Sequence, residues 1–127
     1  MNSANKVGTI GWIDLTVSDA ERVRDFYRTV VGWTTSEVAM GDYNDYCLHP
    51  PGGDPVAGVC HARGMNADIP PVWLMYITVA ELDASLAHCK KLGGTVIGSS
   101  RDLGHYGRMA IIRDPAGAVC GLIQPKS

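Results

Sequence analysis

A strand that runs directly into a capped helix occurs twice in this chain, and the duplication limits the available folds more than any other feature. The first copy is Gly11-Trp12-Ile13-Asp14-Leu15-Thr16-Val17-Ser18-Asp19, followed by Ala20 to Trp33. Side chains alternate across a strand, so Ile13, Leu15 and Val17 share one face and Trp12, Asp14 and Thr16 the other. Ser18-Asp19-Ala20-Glu21 has the Ser-x-x-Glu spacing of a capping box, in which two side chains satisfy otherwise orphan amides. Val23, Phe26, Tyr27, Val30 and Val31 then fall on one helical stripe, and Gly32 is placed to stop the helix. The second copy reads Val72 to Val79 as a strand and Glu81 to Leu92 as a helix, with Leu82, Leu86 and Cys89 on one side. A shift of 62 residues lays Leu15 on Ile77, Thr16 on Thr78, Val17 on Val79 and Gly32 on Gly94. This repeat is too long for a solenoid and occurs only twice, so it predicts a duplicated β-α-β-β-β unit with a cleft between the copies.

Each copy continues with three shorter strand-like pieces. In the first they are Trp33 to Val38, Tyr43 to His49, and Pro55 or Val56 to His61, separated by the turn sequences Met40-Gly41-Asp42 and Pro50-Pro51-Gly52-Gly53-Asp54. In the second they are Thr95 to Ile97, Arg108 to Arg113 and Ala118 to Ile123, the last two joined by Asp114-Pro115-Ala116-Gly117, which matches a type I turn. The polar segment from Arg63 ends in Ile69-Pro70-Pro71, which cannot continue a helix or a central strand. The expected organisation is one domain over residues 1–127, with a first module over about 6–62, a linker over about 63–70 and a second module over about 71–125.

A chain of 127 residues can bury a real core without disulfides or a structural metal. Net charge is −2 with no Lys/Arg run, which argues against nucleic acid or an anionic membrane as the main partner. Met1-Asn2-Ser3-Ala4-Asn5-Lys6 lacks the apolar core of a secretion signal, and no apolar run is long enough to span a bilayer, so the expected location is the cytoplasm. Cys47, Cys60, Cys89 and Cys120 are scattered, with no Cys-x-x-Cys pair, and read as reduced, small apolar side chains. There is no phosphate-binding loop and no Gly-x-Ser-x-Gly elbow.

Val17-Ser18-Asp19, Phe26-Tyr27, Val31-Gly32-Trp33, Leu92-Gly93-Gly94 and Asp114-Pro115-Ala116-Gly117 come in an order and spacing that resemble the vicinal oxygen chelate superfamily, the group of glyoxalase I, bleomycin-resistance proteins and extradiol dioxygenases. The resemblance implies an α+β fold, in which two βαβββ modules form an eight-stranded, cleft-enclosing mixed sheet. It also implies a homodimer. Metal-dependent members carry ligands on equivalent strands, and the corresponding positions here hold Trp12, Leu74 and Gly121. Indole, isobutyl and hydrogen cannot bind a divalent metal, so no cofactor is expected and a metal only through a non-standard site.

Asp14 is the most informative polar residue left on the expected cleft face. It is either a general acid or base or an acceptor for a neighbouring strand. His61 and His105 with Asp14 are the candidates for a relocated two-histidine, one-carboxylate metal site, and otherwise read as loop histidines. Arg108 and Arg113 are either clamps for an acidic ligand group or surface residues. Trp12 and Tyr76 would give an aromatic wall suited to a flat or apolar small molecule. The expected function is therefore metal-independent binding of a small organic molecule in a cleft lined by Trp12, Asp14, Leu74, Tyr76, Arg108 and Gly121. The alternative is an enzyme of lyase, isomerase or dioxygenase type that uses Asp14 or the relocated metal site.

Overall fold

The computed structural model describes residues 6–126, and the reading of the extreme N-terminus as free of a secretion signal falls largely on residues outside that range. Strand β1 is Ile10–Val17 and helix α1 is Ala20–Val31, followed by β2 Thr34–Ala39, β3 Asn44–His49 and β4 Ala57–His61. The order then repeats as β5 Trp73–Thr78, α2 Leu82–Lys91, β6 Thr95–Asp102, β7 Arg108–Arg113 and β8 Val119–Gln124. Eight strands in mixed parallel and antiparallel pairing with two helices make an α+β architecture, the class implied by the repeat. Single 3-10 turns cover Gly64–Asn66, inside the expected linker, and Gly104–Tyr106.

The chain gathers into two compact units, one over Ile13–Trp73 and the other over the residues up to Trp12 together with those from Leu74. In the first, strands lie in the order β2, β3, β4, β1, with β1 parallel to β4 and the other pairs antiparallel. Ala20, Tyr46, Leu48, Ala57 and Val59 form the buried centre, with Ile13, Val17, Val23, Trp33 and Trp73 packed on it. These are the apolar sides of β1, β3 and β4 closing on α1, as alternation requires. Tyr27, Trp33 and Trp73 pack ring against ring, and Trp73 Nε1 donates to the Tyr27 hydroxyl at 3.2 Å.

Helix α1 departs from its sequence reading in two respects. Its cap is Asp19, whose Oδ1 accepts from the Arg22 amide at 3.2 Å; Ser18 lies one residue outside. A carboxylate can fill the role of the serine oxygen and also favours the positive end of the helix dipole. Of the apolar stripe, only Val23 and Tyr27 turn inward, while Phe26, Val30 and Val31 stand more than half exposed. Gly32 ends the helix as expected, with φ of 89° and its amide bonded to the Arg28 carbonyl.

The second unit repeats the pattern as β5, β8, β7, β6, with β5 parallel to β8. Leu82, Ala110 and Leu122 are its buried centre, covered by Ile77, Val79, Leu86 and Ile112. Strand β6 runs five residues beyond the expected Thr95 to Ile97, with its pairing to β7 irregular between Ile97 and Arg101. Gly98 has φ of 72° there, so the interruption that hid the longer strand is a glycine kink. The Asp114 turn forms as read: the Gly117 amide donates to the Asp114 carbonyl at 2.9 Å, and Oδ1 of Asp114 accepts from the Ala116 and Ala118 amides. No helix among the described residues is long and apolar enough to cross a membrane.

Candidate functional site

Strand register decides which polar groups meet in the first unit. Asp14 pairs with Gly58 on β4, Gly58 with Cys47 on β3, and Cys47 with Ser36 on β2, so these four residues form one row across the sheet. Thr16 and Cys60 pair in an adjacent row on the same side. This is the side opposite Ile13, Leu15, Tyr46, Leu48 and Val59. Gly58 is what lets the row close up: a Cβ there would run into Asp14 Oδ1, so the carboxylate lies over bare backbone.

The consequence for the two thiols is electrostatic. Burial pushes the Cys60 thiol well above its ordinary range, and the negative charges of Asp14 and Asp45 push it further the same way. The Cys47 thiol is raised by burial and then by Asp14, partly offset by a hydrogen bond with Ser36. Both sulfurs are therefore neutral thiols at physiological pH and not thiolate nucleophiles.

Asp45 is buried and serves His61 twice, its Oδ1 accepting from the backbone amide at 2.9 Å and from Nδ1 at 3.2 Å. His61 ends β4 with its side chain 15% exposed, its ring between Tyr43 at 5.3 Å and Tyr46 at 6.2 Å. It is a half-buried, oriented imidazole and not a loop histidine. The bond fixes the proton on Nδ1 and turns Nε2 outward from the carboxylate. His105 instead lies in the exposed 3-10 turn of the other unit, stacked on Tyr106 at 4.1 Å. Among the described residues no group of three or more His, Cys, Asp or Glu side chains is arranged to hold a metal ion, so Asp14, His61 and His105 do not gather into the relocated centre.

In the second unit Tyr76 pairs with Gly121 on the parallel strand β8, and its ring lies against that glycine. Leu74 is wholly buried, and Trp12 is half-buried. The three positions that the family resemblance marks for metal ligands thus hold an indole, a buried isobutyl group and a glycine covered by a phenol ring. They do not fit a divalent metal. Arg108 is held by Asp83 at 3.0 Å and by Ser100 at 3.3 Å, which lowers the Asp83 carboxyl below its usual range through the hydrogen bond. Arg113 donates to the Gly117 carbonyl at 3.3 Å and so braces its own turn.

Two hollows lie apart from the sheet face. One of about 590 Å³ between α1 and β2 is bordered by Asp25, Arg28, Trp33 and Thr35 and contains none of the expected site residues. The other, about 200 Å³, is bordered by Asp102, Arg108, Gln124 and Lys126. Both are open, polar surface hollows, and the buried charges and thiols around Asp14 are the stronger mark of a site.

Sequence reading alone missed Asp45, Cys47, Gly58 and Cys60. The signal was present in the alternation Asp45, Cys47, His49 against Tyr46 and Leu48 in one strand, and Gly58, Cys60 against Ala57, Val59 in the next.

Comparison with known proteins agrees with the duplicated architecture. Residues 9–120 match the model of the Glyoxalase/Bleomycin resistance protein/Dioxygenase superfamily. A Mycobacterium bovis protein named "Putative glyoxylase CFP32" is 33% identical over 124 residues, covering 96% of this chain and 48% of that protein. "Anthracycline biosynthesis protein DnrV" of Streptomyces peucetius is 31% identical over 123 residues, covering 87% of this chain and 45% of its own length. The chain thus spans about half the length of the curated relatives it matches. Methylmalonyl-CoA epimerase from Mycobacterium tuberculosis shares the fold with a TM-score of 0.55 at 17% identity, over 100% of this chain and 93% of the epimerase. By sequence and by architecture, the chain belongs to the Glyoxalase/Bleomycin resistance protein/Dioxygenase superfamily.

Proposed function

We propose that this chain is a metal-independent binding protein for a small organic molecule, of the glyoxalase and bleomycin-resistance type. One observation carries the reading: the family's ligand positions are occupied by Trp12, buried Leu74 and Gly121 beneath the Tyr76 ring, groups that favour contact with carbon over coordination of an ion. In the other unit, Asp14 and Asp45 put negative charge on the sheet face that carries the Cys47 and Cys60 thiols, both raised above their ordinary range. A flat, largely apolar molecule suits the Trp12 and Tyr76 rings. The relative named for anthracycline biosynthesis makes polycyclic aromatic compounds the first ligands to try. The same reading places the protein in the cytoplasm as a homodimer.

Metal analysis after native purification, with a chelator thermal shift, tests it. The expected result is substoichiometric metal and an unchanged melting temperature, with a rise in melting temperature for at least one member of an aromatic ligand panel. Stoichiometric zinc, iron, nickel or manganese whose removal lowers the melting temperature overturns it.

A second reading, acid–base catalysis, is favoured by the Asp45–His61 pair, since a carboxylate on Nδ1 orients the ring and leaves Nε2 to exchange a proton. On any substrate found, turnover unchanged in both Asp14→Asn and His61→Gln removes it.

A further inference from the structure

Outside the Asp45–His61 pair, both ring nitrogens of His49 are engaged, and in the neutral ring the two contacts set its tautomer. His49 Nδ1 lies 3.1 Å from the Gly53 carbonyl, which can only accept, so Nδ1 carries the hydrogen. In the neutral ring Nε2 then has a lone pair, and it lies 2.7 Å from Ser36 Oγ. The serine hydroxyl must be the donor. A base fixed in the right tautomer by a third group, and in short contact with a hydroxyl, is the arrangement that activates a serine.

The sequence builds this locally. Thr34 pairs with His49 and Ser36 with Cys47, so Ser36 and His49 are diagonal neighbours on one side of the β2–β3 hairpin. The Pro50-Pro51-Gly52-Gly53 turn folds back so that the Gly53 amide reaches the Pro50 carbonyl at 2.8 Å, presenting its own carbonyl to the ring. Cys47, the register partner of Ser36, also hydrogen-bonds it. Ser36 is exposed and lies at the outer edge of its unit's sheet, so a reactant can reach it.

We propose that Ser36 is a nucleophile, activated by His49, that accepts acyl or phosphonyl groups from small activated esters. Oγ bonds to the carbonyl carbon while its proton passes to Nε2. The bond from that carbon to the ester oxygen then breaks, and the departing alkoxide takes the proton from the imidazolium. Water, deprotonated by the same nitrogen, attacks the acyl-serine, releases the acid and restores the hydroxyl. The activity is independent of the metal-free binding reading.

The test is labelling of the intact protein with a fluorophosphonate probe, peptide mapping of the product, and a burst measurement with p-nitrophenyl acetate. One equivalent on Ser36 is expected, at a rate about 100-fold above exposed Ser99 in the same molecule, the lower end of what a positioned general base contributes. His49→Gln should remove that advantage with unchanged circular dichroism, and Ser36→Ala should abolish labelling at that peptide. The comparison with Ser99 within the wild-type protein stands even if a variant fails to fold. Ser36 labelled no faster than Ser99, or labelled equally in a folded His49→Gln protein, overturns the proposal and leaves the contact as a brace for the hairpin.

Discussion

The carboxylate of Asp14 lies over the backbone of Gly58, its register partner on the parallel strand β4. A methyl group at position 58 has nowhere to go, because Asp14 Oδ1 occupies one side and the Tyr46 carbonyl lies 3.4 Å away on another. Gly58→Ala should therefore destabilise the protein by about 1–3 kcal/mol, the usual cost of overpacking a filled site. Asp14→Ala in the same molecule should recover most of that loss. Urea denaturation of the four proteins of the cycle measures the coupling. Additivity within about 0.5 kcal/mol would show that the carboxylate does not hold this space.

Tyr76 and Gly121 repeat the relationship in the other unit, and the 62-residue shift that lays Leu15 on Ile77 lays Asp14 on Tyr76. A Cβ on Gly121 would stand 2.7 Å from the ring's Cε1. Gly121→Ala should cost on the order of 1–3 kcal/mol and be relieved by Tyr76→Ala. Gly121→Glu, which places a carboxylate at the family's usual position, should lower the melting temperature and still bind no zinc in a calorimetric titration. Zinc binding at micromolar affinity by that variant would mean that the ring yields easily and that little separates this site from a metal centre.

The repeat, the helix stops and the Asp114 turn were legible because each rests on local chemistry: alternation, a glycine with positive φ, an aspartate that bonds its own turn. The choice between Ser18 and Asp19 as helix cap was not, since both side chains can accept an amide and only the entry angle of the chain decides. Asp14 could be assigned to a face by counting, but not its neighbours. Those depend on the parallel pairing of β1 with β4, a contact across some forty residues that fixes Gly58 and Cys60 beside it. His61 read as a loop residue because its partner, Asp45, lies 16 positions away on a strand whose polar side looked incidental.

The raised thiols give a pH dependence with a definite sign. Cys60 and Cys47 have folded-state values above their ordinary 9.0, so below pH 9.0 both states hold the proton and their contribution to stability is fully present. Above it the unfolded chain ionises first, and stability falls as pH rises toward the folded values. Urea midpoints should be flat from pH 7 to 8 and decline above pH 9.0. Asp14→Asn removes a charge that opposes both thiolates, so iodoacetamide should alkylate Cys60 and Cys47 several-fold faster at pH 9.0 in a variant that stays folded. Equal rates would place the Asp14 charge too far away to matter.

Asp45 satisfies two donors of His61 from one oxygen, which separates the effects of shape and charge. Asp45→Ala leaves the His61 amide and Nδ1 without their acceptor in a half-buried position, and should cost about 2–4 kcal/mol, an unmade bond being dearer than a weakened one. Asp45→Asn keeps a carbonyl oxygen in place and should lose roughly half as much, since only the charge assistance goes. Imidazole nitrogen shifts in NMR give an independent readout. The wild type should show the proton on Nδ1 of His61, Asp45→Asn should retain it, and Asp45→Ala should move it toward Nε2, the form favoured by an unconstrained ring. A wild-type ring protonated on Nε2 alone would mean that Asp45 holds only the backbone amide, and the acid–base reading of His61 would fall with it.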